Sequence, residues 1–202
     1  MELTRLHSPR KHKGNLYNLA LIILTLTLSA CTSTRQVDTL VRLDEYSTYQ
    51  LQAVPINLQG LTTLQQLIVT TSTEQHQLLL QTELFDNQIK MVGLSPAGLV
   101  LFELNWVKGA SLELSSNIPM KDLYPELMLA YYQLSNWPAK DVVKGLVGMR
   151  LLISSQSHEK REFYRGKQQV FTVEHHFHST KLVHQQDRYQ IEILTLEQRK
   201  IE

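Results

Sequence analysis

Pro125-Glu126-Leu127-Met128-Leu129-Ala130-Tyr131-Tyr132-Gln133-Leu134-Ser135-Asn136-Trp137-Pro138 is the stretch on which the fold turns. Leu127, Tyr131 and Leu134 recur at i, i+4 and i+7, with Met128 and Tyr132 one residue round, as on the apolar stripe of a helix. Asp122 is placed to cap it, and Pro125 is tolerated in its first turn. Asn136 can cap a second helix with Pro138 in its first turn. Val142, Val143 and Leu146 would then face inward, and Gly148 would stop it.

On either side of this helical pair the period is two, the mark of strands. Upstream, Gln66–Ser72 carries Ile68 and Val69 among threonines. Leu78, Leu80 and Leu84 share a face opposite Gln77, Gln81 and Glu83. Asp86-Asn87-Gln88 turns the chain into Ile89–Leu94, and Pro96-Ala97-Gly98 turns it again. Val100, Phe102, Leu104 and Trp106 then line one face, and Leu112 and Leu114 alternate beyond Lys108-Gly109. Downstream, Met149, Leu151 and Ile153 alternate with Arg150 and Leu152. Arg161–Tyr164 and Gln168–Phe177 read as a hairpin about Arg165-Gly166-Lys167. Lys181–His184 and Tyr189–Leu196 form a last hairpin, with Tyr189, Ile191 and Ile193 inward. Only Leu40–Val54 fits neither period, and it reads as helix or irregular.

Strands, a helical pair and more strands, joined by short turns, predict an α+β, mainly β domain. Its form is a single curved antiparallel sheet, a half-open barrel, with the helical pair on its concave face. A sheet that curls without closing leaves room beneath the helices. The candidate lining is Phe102, Trp106, Met128, Tyr131, Tyr132, Trp137 and Met149, because Met and aromatic side chains adapt to flexible apolar ligands. The same residues would serve equally well as an ordinary core.

The N-terminal region sets the compartment. Arg5, Arg10, Lys11 and Lys13 precede the apolar run Leu16–Leu28, which gives way to Ser29, Ala30 and the only cysteine, Cys31. As a helix the run reaches about 20 Å, short of the ~30 Å hydrocarbon core, so it suits a signal peptide better than a span. Leu28-Ser29-Ala30-Cys31 resembles the lipobox of bacterial lipoproteins. That resemblance implies cleavage before Cys31 and acylation of the cysteine, a near-permanent membrane anchor. Thr32, where an aspartate would favour the inner membrane, leans towards the outer one. The expected layout is a signal peptide over 1–30, an acylated tether over 31–39 and one domain over 40–202. The polar part of the tether, Thr32 to about Asp38, reaches only about 20 Å when extended, which keeps the domain close to the bilayer.

Without the signal the chain carries sixteen basic and eighteen acidic residues, a net of −2, which excludes a basic nucleic-acid footprint. With Cys31 acylated no disulfide is possible, and stability must come from packing. No nucleophile elbow, phosphate-cradling glycine loop or His-Glu-x-x-His helix is present, so an enzyme is not expected, nor a cofactor. Ser95 and Ser135 read as turn and helix-end residues. Lys160, Arg161, Arg165 and Lys167 gather at one hairpin, as a solvated tip or a contact for anionic headgroups. The metal candidates are His176 and His178, which with Glu174 would share a strand face. They could hold zinc if His158 or His184 came within reach, and are otherwise a solvated face.

Met91-Val92-Gly93-Leu94-Ser95-Pro96-Ala97-Gly98-Leu99-Val100-Leu101-Phe102, Leu134-Ser135-Asn136-Trp137-Pro138 and Tyr189-Gln190-Ile191-Glu192-Ile193 resemble an uncharacterised bacterial lipoprotein family, domain of unknown function thirty-two sixty-one. The likeness covers roughly Leu64–Leu196. Family members are often encoded beside genes for aryl polyene lipids, an exporter and a periplasmic lipoprotein carrier. The architecture is similar to the outer-membrane lipoprotein receptor and its carrier, whose half-open barrels hold acyl chains. The resemblance implies a monomeric outer-membrane lipoprotein that binds an acyl or aryl-polyene lipid, with the carrier or exporter as possible partner, and it supplies no catalytic residues. An accessory lipoprotein docking an exporter or synthesis complex is the alternative. A periplasmic hydrolase ranks last.

Overall fold

The computed structural model describes residues 34–37, 39–117, 124–155, 158–186 and 188–201. The signal segment, Cys31 and the proposed cap Asp122 lie outside the described residues. In chain order the strands are β1 (Thr34–Val37), β2 (Leu40–Arg42), β3 (Thr48–Gln50), β4 (Leu61–Thr70), β5 (Gln75–Phe85), β6 (Gln88–Leu94), β7 (Val100–Val107) and β8 (Leu112–Ser116). Helices α1 (Pro125–Asn136) and α2 (Ala139–Gly145) follow. The chain resumes with β9 (Leu146–Val147), β10 (Arg150–Ser155), β11 (Glu159–Arg165), β12 (Gln168–His175), β13 (Ser179–His184) and β14 (Tyr189–Lys200).

Eleven strands form one antiparallel sheet in the order β1-β8-β7-β6-β5-β4-β14-β13-β12-β11-β10. Two meanders, β4–β8 and β10–β14, are therefore joined side by side where β14 pairs with β4. The sheet is curved and does not close into a barrel, as the strand pattern predicts. The period-two pattern explains which face is inward: Leu78, Leu80, Thr82 and Leu84 alternate into the core along β5, as do Phe102, Leu104 and Trp106 along β7. Register shifts at Gly93/Leu94, Phe163/Tyr164 and Thr195/Glu197 bend strands locally, the usual means of curling a sheet.

Several local expectations change. Leu40–Val54 contains strands, not a helix: β2 and β3 pair, and β9 adds to β3 as a small second sheet. Thr34–Val37 pairs along β8 instead of serving as a free tether, so the sheet begins closer to Cys31 than the polar composition implies. Asn136 ends α1 and donates back to the Tyr132 carbonyl at 2.8 Å, leaving Pro138 to begin α2. Val143 faces solvent while Val142 is buried. Helix α2 is short because the chain must rejoin a strand at once. A Cβ on Gly145 would lie 2.4 Å from the Gln50 carbonyl oxygen, so only glycine lets the helix end meet β3. Finally, on the outermost strand β10 Leu151 packs half-buried against the core, while Leu152 and Ile153 are both exposed.

The Gly-Leu-Ser-Pro-Ala-Gly run has a structural explanation. Gly93 pairs with Phe102 across β6 and β7, and a Cβ there would stand 2.1 Å from the Phe102 ring. Missing side chain and large ring are complementary. Ser95 holds the following turn: its amide donates to the Leu99 carbonyl at 2.8 Å and its hydroxyl accepts from the Leu99 amide at 3.1 Å. Gly98 supplies the left-handed residue the turn needs, at φ 82. Replacing Gly93 by Ala is expected to lower the unfolding free energy by about 1–3 kcal/mol through overpacking. Urea denaturation checks this, and the added substitution Phe102→Leu should restore part of the loss. Unchanged stability of the Gly93→Ala chain would contradict the contact.

Candidate functional site

Helix α1 lies on the inner face of the sheet, and its side chains define what space is left. Phe102, Trp106, Met128, Tyr131, Tyr132 and Trp137 all join one buried hydrophobic cluster, and Met149 packs against it half-buried. The seven candidates are thus brought together. Tyr132 meets Trp137 edge-on at 5.8 Å, and the Trp137 indole donates to the Ala53 carbonyl at 2.9 Å. Gln133, fully buried, exchanges two hydrogen bonds with the Gln52 backbone, of 2.8 and 3.1 Å. Burial pushes the Tyr132 phenol up to about 12 and raises that of Tyr49 further, where the Asp141 carboxylate adds to the effect. Both hydroxyls stay protonated.

The sequence reading missed a ladder of rings under α1. Phe163 stacks on Phe171 at 4.1 Å, Phe171 on His184 at 5.9 Å and His184 on Tyr189 at 5.0 Å. Each pair consists of direct cross-strand partners in β11–β14. Tyr131 closes the ladder from the helix, edge-on to Phe171 at 5.7 Å and hydrogen-bonded to the Tyr189 hydroxyl. Register, more than alternation, was the signal that could have found it.

Arg161 fastens the helix to that sheet. Its Nη1 donates to the carbonyls of Leu134 and Trp137, both at 2.8 Å, and its Nε donates to the Glu159 carboxylate at 2.6 Å. These carbonyls lie at the C-terminal end of α1, where backbone acceptors run out and the helix dipole is negative. The expectation of a solvated basic hairpin is corrected here, because Arg161 is buried. Arg165 is engaged as well: it pairs with Asp44 at 3.1 Å and lies over the Tyr46 ring at 4.8 Å. Lys160 pairs with Glu174 and Glu162, and Lys167 alone is exposed at the tip.

Beside the start of α1 an open cleft of about 670 Å³ is lined by Leu40, Val41, Arg42, Leu43, Asp44, Glu45, Tyr124, Glu126 and Leu127. Its floor is apolar, with Val41 and Leu43 buried, and Leu40 and Tyr124 stand exposed at its edges. The Asp44–Arg165 pair and the Asp44 carboxylate accepting from the Tyr46 amide at 2.7 Å fix the loop after β2. This cleft was not read from the sequence, because β2 was not recognised as a strand. Of the metal candidates, His176 lies near His158 and Glu174, while His178 lies outside that group. Among the described residues no helix is long and apolar enough to cross a membrane.

The family model described as a protein of unknown function, DUF3261, matches residues 62–197. The chain belongs to that family. The match runs from β4 to β14 and so takes in both meanders and both helices. No curated protein matches at a significant level. Among solved structures, a domain from Vibrio parahaemolyticus provisionally described as an outer-membrane lipoprotein-sorting protein is similar over 69% of this chain and 84% of its own, at 10% identity and a TM-score of 0.39.

Arg161→Met keeps the stem but leaves two carbonyls without their charged donor, and is expected to lower stability by about 2–4 kcal/mol. Lys167→Met should stay within about 0.5 kcal/mol of the parent. Equal midpoints in urea for all three chains would contradict the role given to Arg161. A pH effect follows from His175, whose pKa is lowered first by burial and then by the Arg161 charge. The unfolded chain takes up this proton as pH falls through about 6.5 while the folded one resists it, so stability is lost on acidification. The melting temperature should fall from about pH 7 to about pH 5.5, and fall less in His175→Gln. Identical slopes would contradict it.

Proposed function

We propose that this chain is an outer-membrane lipoprotein, anchored through Cys31, whose domain binds an acyl-type or polyene lipid and helps transfer it to the outer membrane. The observation that carries the reading is the open cleft with an apolar floor between the start of α1 and β2 of the small second sheet. Its volume falls within the ~300–1,000 Å³ of small-ligand sites. The lipobox-like Leu28-Ser29-Ala30-Cys31 and the signal-like leader support the compartment. The mechanism is apolar burial without covalent chemistry, at roughly 0.8 kcal/mol per buried methylene, with release favoured by the bilayer as the better solvent.

The binding residues differ from the aromatic set expected from the sequence. Phe102, Trp106, Tyr131, Tyr132 and Trp137 belong to the solid core, while Leu40, Leu43, Tyr124 and Leu127 line the cleft and meet the ligand. A docking role keeps one specific support, the uncovered Leu152 and Ile153 on β10, which offer a partner both an apolar patch and a strand edge.

Organic extraction of the purified full-length chain, followed by mass spectrometry, tests the proposal. A co-purified acyl or polyene lipid is expected, and Leu127→Asp should deplete it severalfold while circular dichroism stays unchanged. Trp137→Asp is unsuitable because it would unfold the core. A lipid-free chain that also fails to bind a fluorescent fatty acid would overturn lipid binding and favour docking.

A further inference from the structure

The register of β11 and β12 brings together side chains that lie far apart in sequence. Lys160 pairs with Glu174, and continuing the ladder by two residues sets His158 opposite His176. Residues two apart on a strand share a face, so His158, Lys160, Glu174 and His176 converge on one side. It is the outer side, because the neighbouring pair Arg161 and Val173, one residue along each strand from Lys160 and Glu174, is buried on the inner one. The His158 and His176 rings stand 4.7 Å apart by their centroids. One ligand-type atom from each of His158, Glu174 and His176 lies within 4.8 Å of the other two.

We propose that His158, Glu174 and His176 form a surface site for a divalent transition-metal cation of the zinc class. Two imidazoles and a carboxylate are a ligand set that zinc accepts, with a fourth position left for water. Zinc holds such atoms at about 2.0–2.2 Å, which sets them roughly 3.4 Å apart. The present spacing closes to that by rotating side chains that are exposed or half-exposed, with no movement of the strands. Lys160 bonds Glu174 Oε1 at 3.1 Å, so the incoming cation competes with an ammonium for this carboxylate or uses its other oxygen. Oxygen-seeking Mg²⁺ gains little from two imidazoles and is not expected to bind. The cation would pin the first residue before β11 to the residue after β12, tying two strand ends beyond their last ladder pair. The pairing differs from an i, i+2 pairing of His176 with His178, because β12 ends at His175 and the alternation stops there.

Calorimetric titration of ZnCl₂ into the full-length chain in detergent micelles at neutral pH tests the site. One equivalent is expected to bind, with MgCl₂ silent. His158→Ala and His176→Ala should each weaken binding about tenfold or more, and His178→Ala should leave it unchanged. Cobalt(II) should give visible bands in the parent that the double variant His158→Ala/His176→Ala lacks. All these side chains sit at the surface, so matching circular dichroism spectra separate lost ligation from lost fold. Absent zinc binding in the parent, or unchanged binding in the double variant, would overturn the proposal. So would a loss in His178→Ala equal to that in His176→Ala.

Discussion

The Arg161 guanidinium at the end of α1 is the contact on which the arrangement depends. A helix laid across a curled sheet has two problems, its apolar stripe and its unpaired terminal carbonyls. The stripe is covered by β7 and by the aromatic ladder of β11–β14. The carbonyls of Leu134 and Trp137 are covered by a single buried side chain from β11. Because Arg161 is also tied to Glu159, the charge is paired where it is desolvated. The far end of α1 is held differently. Tyr124 precedes Pro125 with no side-chain cap, and the helix start stands over the loop that Asp44 and Arg165 fix. One end is locked and the other borders open space, which is why the cleft forms at the helix start.

This asymmetry separates the structural and functional parts of the inner face. The rings beneath the helix are packed against one another in a solid core. Leu40, Tyr124 and Leu127, around the cleft, are only partly covered. An acyl chain suits such a surface, since it needs shape and apolar area but few hydrogen bonds. The buried phenols of Tyr49 and Tyr132 stay neutral and add no charge that would disfavour it.

Much of the fold was legible because the sheet is half-buried along nearly every strand. Leu78-Leu80-Leu84 and Phe102-Leu104-Trp106 declare their face by alternation, and Leu127-Tyr131-Leu134 declare a helix by their longer period. Three-residue strands such as Thr48–Gln50 are too short for any period to emerge, so β2 and β3 were hidden, and the cleft with them. Strand β10 misled in part: Leu151 and Ile153 alternate, and Leu151 does pack half-buried against the core, but Ile153 further along this outermost strand is exposed. Charge misled at Arg161, since composition counts a guanidinium as surface and only tertiary contact shows two carbonyls waiting for it. The histidines show the same limit. Neighbours along the chain suggested His176 with His178, whereas the sheet register pairs His176 with His158.

The most direct measurement is photocrosslinking of a diazirine fatty acid to the full-length chain, with the modified residues mapped by peptide mass spectrometry. Lipid binding at the helix start predicts labels concentrated on residues 40–45 and 124–127. Labels spread over the outer face of β6–β8, or no labelling at all, would contradict it.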